Sequence, residues 1–237
     1  MIPRYSRPAM AGIWTEEAKL RRWLEIEVLA CEGMARKKII PTKDARTIRK
    51  RAKFNLRQVQ KNEARTRHDV LAFLEEVASH VGPAGRWIHQ GLTSSDILDT
   101  TLAWQLRDAA DLLLEGVRKV KAAAAKRARE HRGLMVIGRT HGIHAEPTSH
   151  GIRMALLHDE FRRAEERLEE AKAEIAVGKI SGAVGTYAHL DPAIEAYVCG
   201  KLGLQPGAAT QVVPRDRHAS FALAMSLVAA SAERWAT

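Results

Sequence analysis

Leu102-Ala103-Trp104-Gln105-Leu106-Arg107-Asp108-Ala109-Ala110-Asp111-Leu112-Leu113-Leu114-Glu115-Gly116-Val117-Arg118-Lys119-Val120-Lys121-Ala122-Ala123 is the stretch that decides the fold. Leu102, Leu106, Ala109, Leu113, Gly116, Val120 and Ala123 alternate steps of four and three, the spacing that lines one face of an α-helix. Thr93-Ser94-Ser95-Asp96 offers N-caps ahead of it, and Gly133 stops it after Arg132. At about 1.5 Å per residue such a helix is roughly 50 Å long. Its four-three seam, with Gly116 and the alanines permitting close approach, is that of a helix bundle.

Working outward, a second seam runs through His150, Met154, Leu157, Phe161, Ala164, Leu168, Ala171 and Ile175. Pro147 suits the first turn of that helix. The two helices then lie antiparallel, joined by Ile137-Gly138-Arg139-Thr140-His141-Gly142-Ile143-His144-Ala145-Glu146-Pro147-Thr148. Upstream, Thr15 reads as an N-cap with Glu16 and Glu17 in the first turn, and Leu20, Trp23, Leu24, Val28, Cys31 and Ala35 share a face. A short basic helix from about Lys43, a polar one through Asn55 to Lys61, and a stripe of Leu71, Leu74 and Val77 follow. Downstream, Gly178-Lys179-Ile180-Ser181-Gly182-Ala183-Val184-Gly185-Thr186-Tyr187 breaks the helical pattern and reads as a flexible or ligand-covering loop. Asp191-Pro192 opens a helix to about Leu202, and Asp216 reads as the N-cap of a last one. No strand pair stands out. The fold class is all-α, with a helical domain over residues 1–93 and part of a long-helix bundle over 94–237. Phe221, Met225, Val228, Ala232 and Trp235 carry a seam to the end without a closing signal, which predicts a truncated bundle.

Composition narrows the function. A chain of 237 residues buries a sizeable core. No apolar run reaches the roughly 18 residues of a membrane span, and the first residues lack an apolar signal core. Cys31 and Cys199 stand alone, as expected of a cytoplasmic protein. A formal charge of +10 favours anionic partners, nucleic acid or a phosphorylated or carboxylated metabolite. Aromatics at 5% argue against a surface that stacks single-stranded bases.

Three polar groups carry the chemistry. His141 lies among glycines between two rigid helices, and an imidazole exchanges protons near neutral pH. Arg67, His68 and Asp69 place a cation and an imidazole together, suited to phosphate or carboxylate, or form a plain exposed helix start. Thr93, Ser94 and Ser95 at a helix N-terminus either cap it or bind an anion there. A metal site built from His141, His144, His150 and His158 is the rival, but the spacing is poor for metal and no cysteine or paired carboxylate accompanies them. The glycines after Gly178 match neither a dinucleotide fingerprint nor a Walker loop.

Thr66-Arg67-His68-Asp69-Val70, Gly91-Leu92-Thr93-Ser94-Ser95-Asp96, Gly138-Arg139-Thr140-His141-Gly142-Ile143-His144-Ala145-Glu146-Pro147-Thr148 and Gly178 to Thr186 together resemble the adenylosuccinate lyase family of the fumarase/aspartase superfamily. The resemblance extends from Arg4-Tyr5-Ser6 to Arg215-Asp216-Arg217-His218. It implies β-elimination of fumarate from adenylosuccinate, giving AMP, and from succinyl-aminoimidazole-carboxamide ribotide, giving its carboxamide, in purine biosynthesis. By motif, His141 resembles the general acid, and His68 the second functional histidine. Arg4, Tyr5, Arg67, Asp69, Thr93, Ser94 and Gln211 resemble substrate-binding positions, with His89 beside them. The resemblance implies no cofactor, no metal, no nucleic acid and no membrane, and a cytoplasmic homotetramer whose sites draw on several subunits. The family's serine loop, Gly-Ser-Ser-x-Met-Pro-x-Lys-x-Asn-Pro, has no counterpart in these residues, so at most trace activity is expected of them alone. Another lyase of the superfamily and a basic helical nucleic-acid-binding module are the alternatives.

Overall fold

Helices make up most of the computed structural model, which describes residues 2–237. They are α1 (Pro8–Ile13), α2 (Glu16–Arg36), α3 (Thr42–Arg51), α4 (Leu56–Thr66), α5 (Asp69–Val81), α6 (Ser94–Glu130), α7 (His150–Ile175), α8 (Pro192–Leu202) and α9 (Asp216–Ala236). Strands β1 (Met135–Thr140) and β2 (Ile143–Ser149) form an antiparallel hairpin, and β3 (Val177–Gly178) pairs in parallel with β4 (Gln205–Pro206).

The chain divides into two compact units, one holding residues up to Asp108 with Ala176–Pro214, the other Ala109–Ile175 with Arg215–Thr237. In the first, the apolar face of α2 is buried as its periodicity requires: Leu20, Trp23, Val28, Cys31 and Met34 are nearly inaccessible. Trp23 meets Phe73 of α5 edge-on at 5.5 Å, and Phe54 meets Phe73 at 5.8 Å. Caps set the ends. Thr15 accepts from the Ala18 N–H, Asn55 from those of Arg57 and Gln58, and Asp191 from that of Ala193.

In the second unit, ion pairs fix α6 and α7 as antiparallel neighbours: Lys172 with Asp111, Arg118 with Glu165 and Glu169, and Lys121 with Glu165. A Cβ on Gly151 would lie 2.6 Å from Arg132 Cα and 2.7 Å from the Ala128 carbonyl oxygen, so glycine is what allows this approach. Helix α9 runs back along α7, with Arg217 donating to the Glu174 carbonyl and Arg234 paired to Glu160.

Four expectations need correction. The segment around Pro147 is a strand; Pro147 pairs with Ile137, and α7 begins at His150. A two-stranded ribbon is all edge, so a residue without an N–H is tolerated there. Helix α6 ends at Glu130, two residues before Arg132. In the second unit its buried residues are Ala109, Ala110, Leu114, Val117 and Ala124; Ala109 belongs to the expected seam, while Val120 and Ala123 of that seam are exposed. Beyond Ala109 the covered stripe thus lies one residue, about 100°, around the helix: period alone cannot say which of two apolar stripes a neighbour covers. Finally, Asp216 is the first residue of α9 rather than its cap, which is Arg215.

Candidate active site

The hairpin explains how His141 is presented. Thr140 pairs with Ile143, leaving His141 and Gly142 as a two-residue turn with φ of 51° and 76°. Both central residues in the left-handed region define a type I′ turn, whose twist matches the strands it joins. A histidine there tolerates a backbone cost that glycine avoids. His141 is exposed, its ring bonded to no described residue. His144 pairs with Arg139 on the ribbon, and His150 packs edge-on to His131 at 5.4 Å. Among the described residues no three His, Cys, Asp or Glu side chains gather as metal ligands.

His68 sits where α4 ends and α5 begins. Arg67 takes φ of 55° as the C-cap of α4, and His68 is the N-cap of α5, its Nδ1 accepting from the Leu71 N–H at 3.2 Å. That bond requires an unprotonated Nδ1 and leaves Nε2 as a donor. Asp69 Oδ1 lies 3.7 Å from the same Nδ1 and accepts from the Val70 N–H. Arg67 and His68 are exposed, as a pair meeting an external anion must be.

At the start of α6, Asp96 is fully buried while Thr93, Ser94 and Ser95 are only partly covered. Asp96 Oδ2 accepts from the Thr93 N–H at 2.8 Å, closing the first turn from within. Asp96 Oδ1 accepts from the Ser181 and Gly182 N–H groups at 3.2 and 3.3 Å, and pairs with the Lys179 ammonium. Lys179 is itself fully buried and also donates to the Gly182 carbonyl at 2.7 Å. Its backbone exchanges two hydrogen bonds of 2.9 Å with the Thr100 hydroxyl. Glu195, buried in α8, accepts from the Ile180 N–H and the Tyr187 hydroxyl. Burial first, and then Glu195, push the Tyr187 phenol up to about 12.

Residues 178–182 of the stretch expected as a flexible or covering loop are therefore a buried anchor that fixes the Thr93–Ser94 turn, while Ala183, Val184 and Thr186 after them are exposed. Sequence reasoning missed it. The available signal was a lone lysine between Gly178 and Ile180 with no acid near it in the chain.

His89 is clamped. At φ of 66°, its N–H donates to Glu27 Oε2 at 2.9 Å and its Nδ1 lies 2.6 Å from Glu27 Oε1. Burial disfavours the imidazolium, but the hydrogen bond and charge of Glu27, with the charge of Asp96, outweigh it and hold the pKa above the ordinary value. Glu27 was missed as well; its signal was an acid on the apolar face of α2. Arg4 stacks on Tyr5 at 4.7 Å, both exposed, and Gln211 is exposed in an irregular stretch tied to α6 by the Val213 N–H on Asp99 at 2.7 Å.

Comparison with known proteins shows the family. A family model described as "Lyase" matches residues 4–237. The chain belongs to that lyase family, and its fold is that of the fumarase/aspartase type. Within it, the chain is similar to the adenylosuccinate lyases of Bacillus subtilis (47% identical) and of Synechocystis (50%), in each case over all of this chain and 55% of the relative. The chain thus spans about half the length of the curated relatives it matches. Among solved structures, the fumarate lyase of Mesorhizobium is 30% identical with a TM-score of 0.88, covering 94% of this chain and 54% of that one. The β-carboxy-cis,cis-muconate cycloisomerase of Acinetobacter calcoaceticus is 25% identical, also at 0.88, covering 97% and 57%. No helix of the described residues is long and apolar enough to cross a membrane.

Proposed function

We propose that the chain supplies the acid and substrate-binding groups of carbon–nitrogen lyase sites, each drawing on several subunits, that release fumarate from adenylosuccinate, and from succinyl-aminoimidazole-carboxamide ribotide. The observation that carries this reading is the state of the three polar groups. His141 stands free at a hairpin tip, His68 keeps Nε2 available, and the Thr93 and Ser94 hydroxyls have no partner among the described residues, above a buried frame that holds their turn. The 42–50% identity to adenylosuccinate lyases supports this choice of substrate within the family.

In this reading His141 protonates the departing nitrogen. The Thr93–Ser94 turn, at the positive end of α6, stabilises charge that builds on the succinyl carboxylate when its neighbouring carbon is deprotonated. Arg67, His68 and Asp69 orient the phosphate, and Arg4, Tyr5 and Gln211 complete the binding set. His89 is a supporting group whose ring is already committed to Glu27. Exposed apolar residues such as Ile137, Ile143, Leu156 and Leu223 support assembly with further copies as a homotetramer. The base of the elimination, a serine in the family, is not among these residues.

The test is binding followed by turnover. Adenylosuccinate binds the purified chain and is displaced by AMP but not by argininosuccinate, with at most trace fumarate release. Robust turnover would sink the claim of an incomplete site. Preference for argininosuccinate would move the assignment to another lyase, and salt-sensitive binding of unrelated DNA would replace it altogether.

A further inference from the structure

A cleft lies within the first unit, between α2, α3 and α8. It encloses about 470 Å³, within the roughly 300–1,000 Å³ of small-molecule sites. Arg36, Arg46, Arg49 and Lys50 line it, with Glu32 as the one acid and Tyr197 closing one side. None of the residues assigned above to the lyase site takes part.

The wall is built rather than merely charged. Arg49 donates to Glu32 and to Glu25, each at 2.7 Å, and Tyr197 donates its hydroxyl to the other Glu32 oxygen at 2.9 Å. Those bonds, Arg49 first, hold the Glu32 carboxyl below the usual range against its burial. Glu32 is thereby neutralised and fixed. Arg36 lies over the Tyr197 ring at 4.5 Å, which sets its guanidinium without cancelling its charge.

Three cations remain. Arg36, Arg46 and Lys50 form no ion pair with any described carboxylate. Arg46 and Lys50 are one turn apart on the same face of α3, where like charges repel. Arg127 pairs with Glu130, and Arg162 with Asp159 and Glu166, each within one helix; Arg36, Arg46 and Lys50 face one concavity without such an ion pair. Ala35 and Ala45 add a small apolar floor.

We infer that this cleft is a binding site for a small molecule carrying two or more phosphoryl groups, held by Arg36, Arg46 and Lys50. Guanidinium forks and an ammonium converging from two helices suit clustered phosphoryl oxygens better than a single carboxylate. The Tyr197–Glu32–Arg49 wall sets the side of the site and contributes no free charge. Inorganic pyrophosphate and a nucleoside triphosphate share this chemistry, and they are separated by including both.

The experiment titrates pyrophosphate, ATP, AMP and adenosine into the full chain by calorimetry at low and high salt. Pyrophosphate and ATP bind, AMP binds more weakly, and adenosine does not bind. Tighter ATP than pyrophosphate identifies a nucleotide as the ligand, and equal affinity identifies the phosphoryl groups alone. Arg46→Glu with Lys50→Glu lowers pyrophosphate affinity about tenfold or more, with an unchanged unfolding midpoint. Arg51→Glu with Lys53→Glu, outside the cleft, lowers it less than about twofold, by screened long-range charge only. Equal losses in the two variants, no pyrophosphate binding to the wild type, or loss of binding in Thr93→Ala with Ser94→Ala would each overturn the inference. The last result would place the ligand at the lyase site instead. A milder Arg46→Gln variant gives an intermediate loss, and it keeps the test decisive should the double reversal fail to fold.

Discussion

His68 carries two duties that can be separated by substitution. Its Nδ1 caps α5 by accepting from Leu71, and removing an N-cap costs about 1 kcal/mol. His68→Ala therefore lowers the urea midpoint, whereas His68→Asn, a good cap, restores it. Both variants lose the substrate contact proposed for Nε2, so a binding assay falls for each while only alanine shows a stability loss. His89 makes a different prediction. Its pKa is raised in the folded state, so its contribution to stability is complete below the unfolded value of about 6.5 and is lost as pH rises through the folded value. Urea unfolding across that window should show a stability advantage of wild type over Glu27→Gln that shrinks with rising pH. An advantage independent of pH would mean that the Glu27 clamp acts only through the His89 backbone N–H. These residues were half legible. The Arg-His-Asp and Thr-Ser-Ser patterns stood out by residue type, but nothing near His89 in the chain pointed to Glu27, which lies 62 residues away.

At the scale of elements, the hairpin and the α6–α7 crossing hold His141. Glycine at 151 admits the backbone of α6 at a distance no Cβ tolerates. Gly151→Ala should destabilise by about 1–3 kcal/mol through overpacking, read as a lowered thermal midpoint. Gly142, at φ of 76° beside His141, should cost about 1 kcal/mol as alanine and none as asparagine, which tolerates the left-handed region. The helices were readable because a 3.6-residue period survives in any context. The ribbon was not: Ile137 to Thr148 shows no clean alternation, since both of its faces are largely exposed within this chain. Pro147 then carried the reading toward a helix start.

Across the whole molecule, the Asp96–Lys179 pair joins segments 83 residues apart. Lys179→Met leaves a carboxylate with no access to water and no cation, which should cost roughly 3–5 kcal/mol. It should also loosen the Thr93–Ser94 turn, seen as faster hydrogen exchange at the start of α6; unchanged stability and exchange would refute the anchoring role. What the sequence by itself determined was the helical class, the helix starts at Thr15 and Asp191, and the family. Each depends on residue type and spacing along the chain. Only the tertiary structure decided which stripe of α6 is covered, that His141 rides a type I′ turn, and that Lys179 and Glu27 are buried partners rather than loop and surface charges. Those outcomes depend on burial, and burial of a charge is set by which distant segment folds over it.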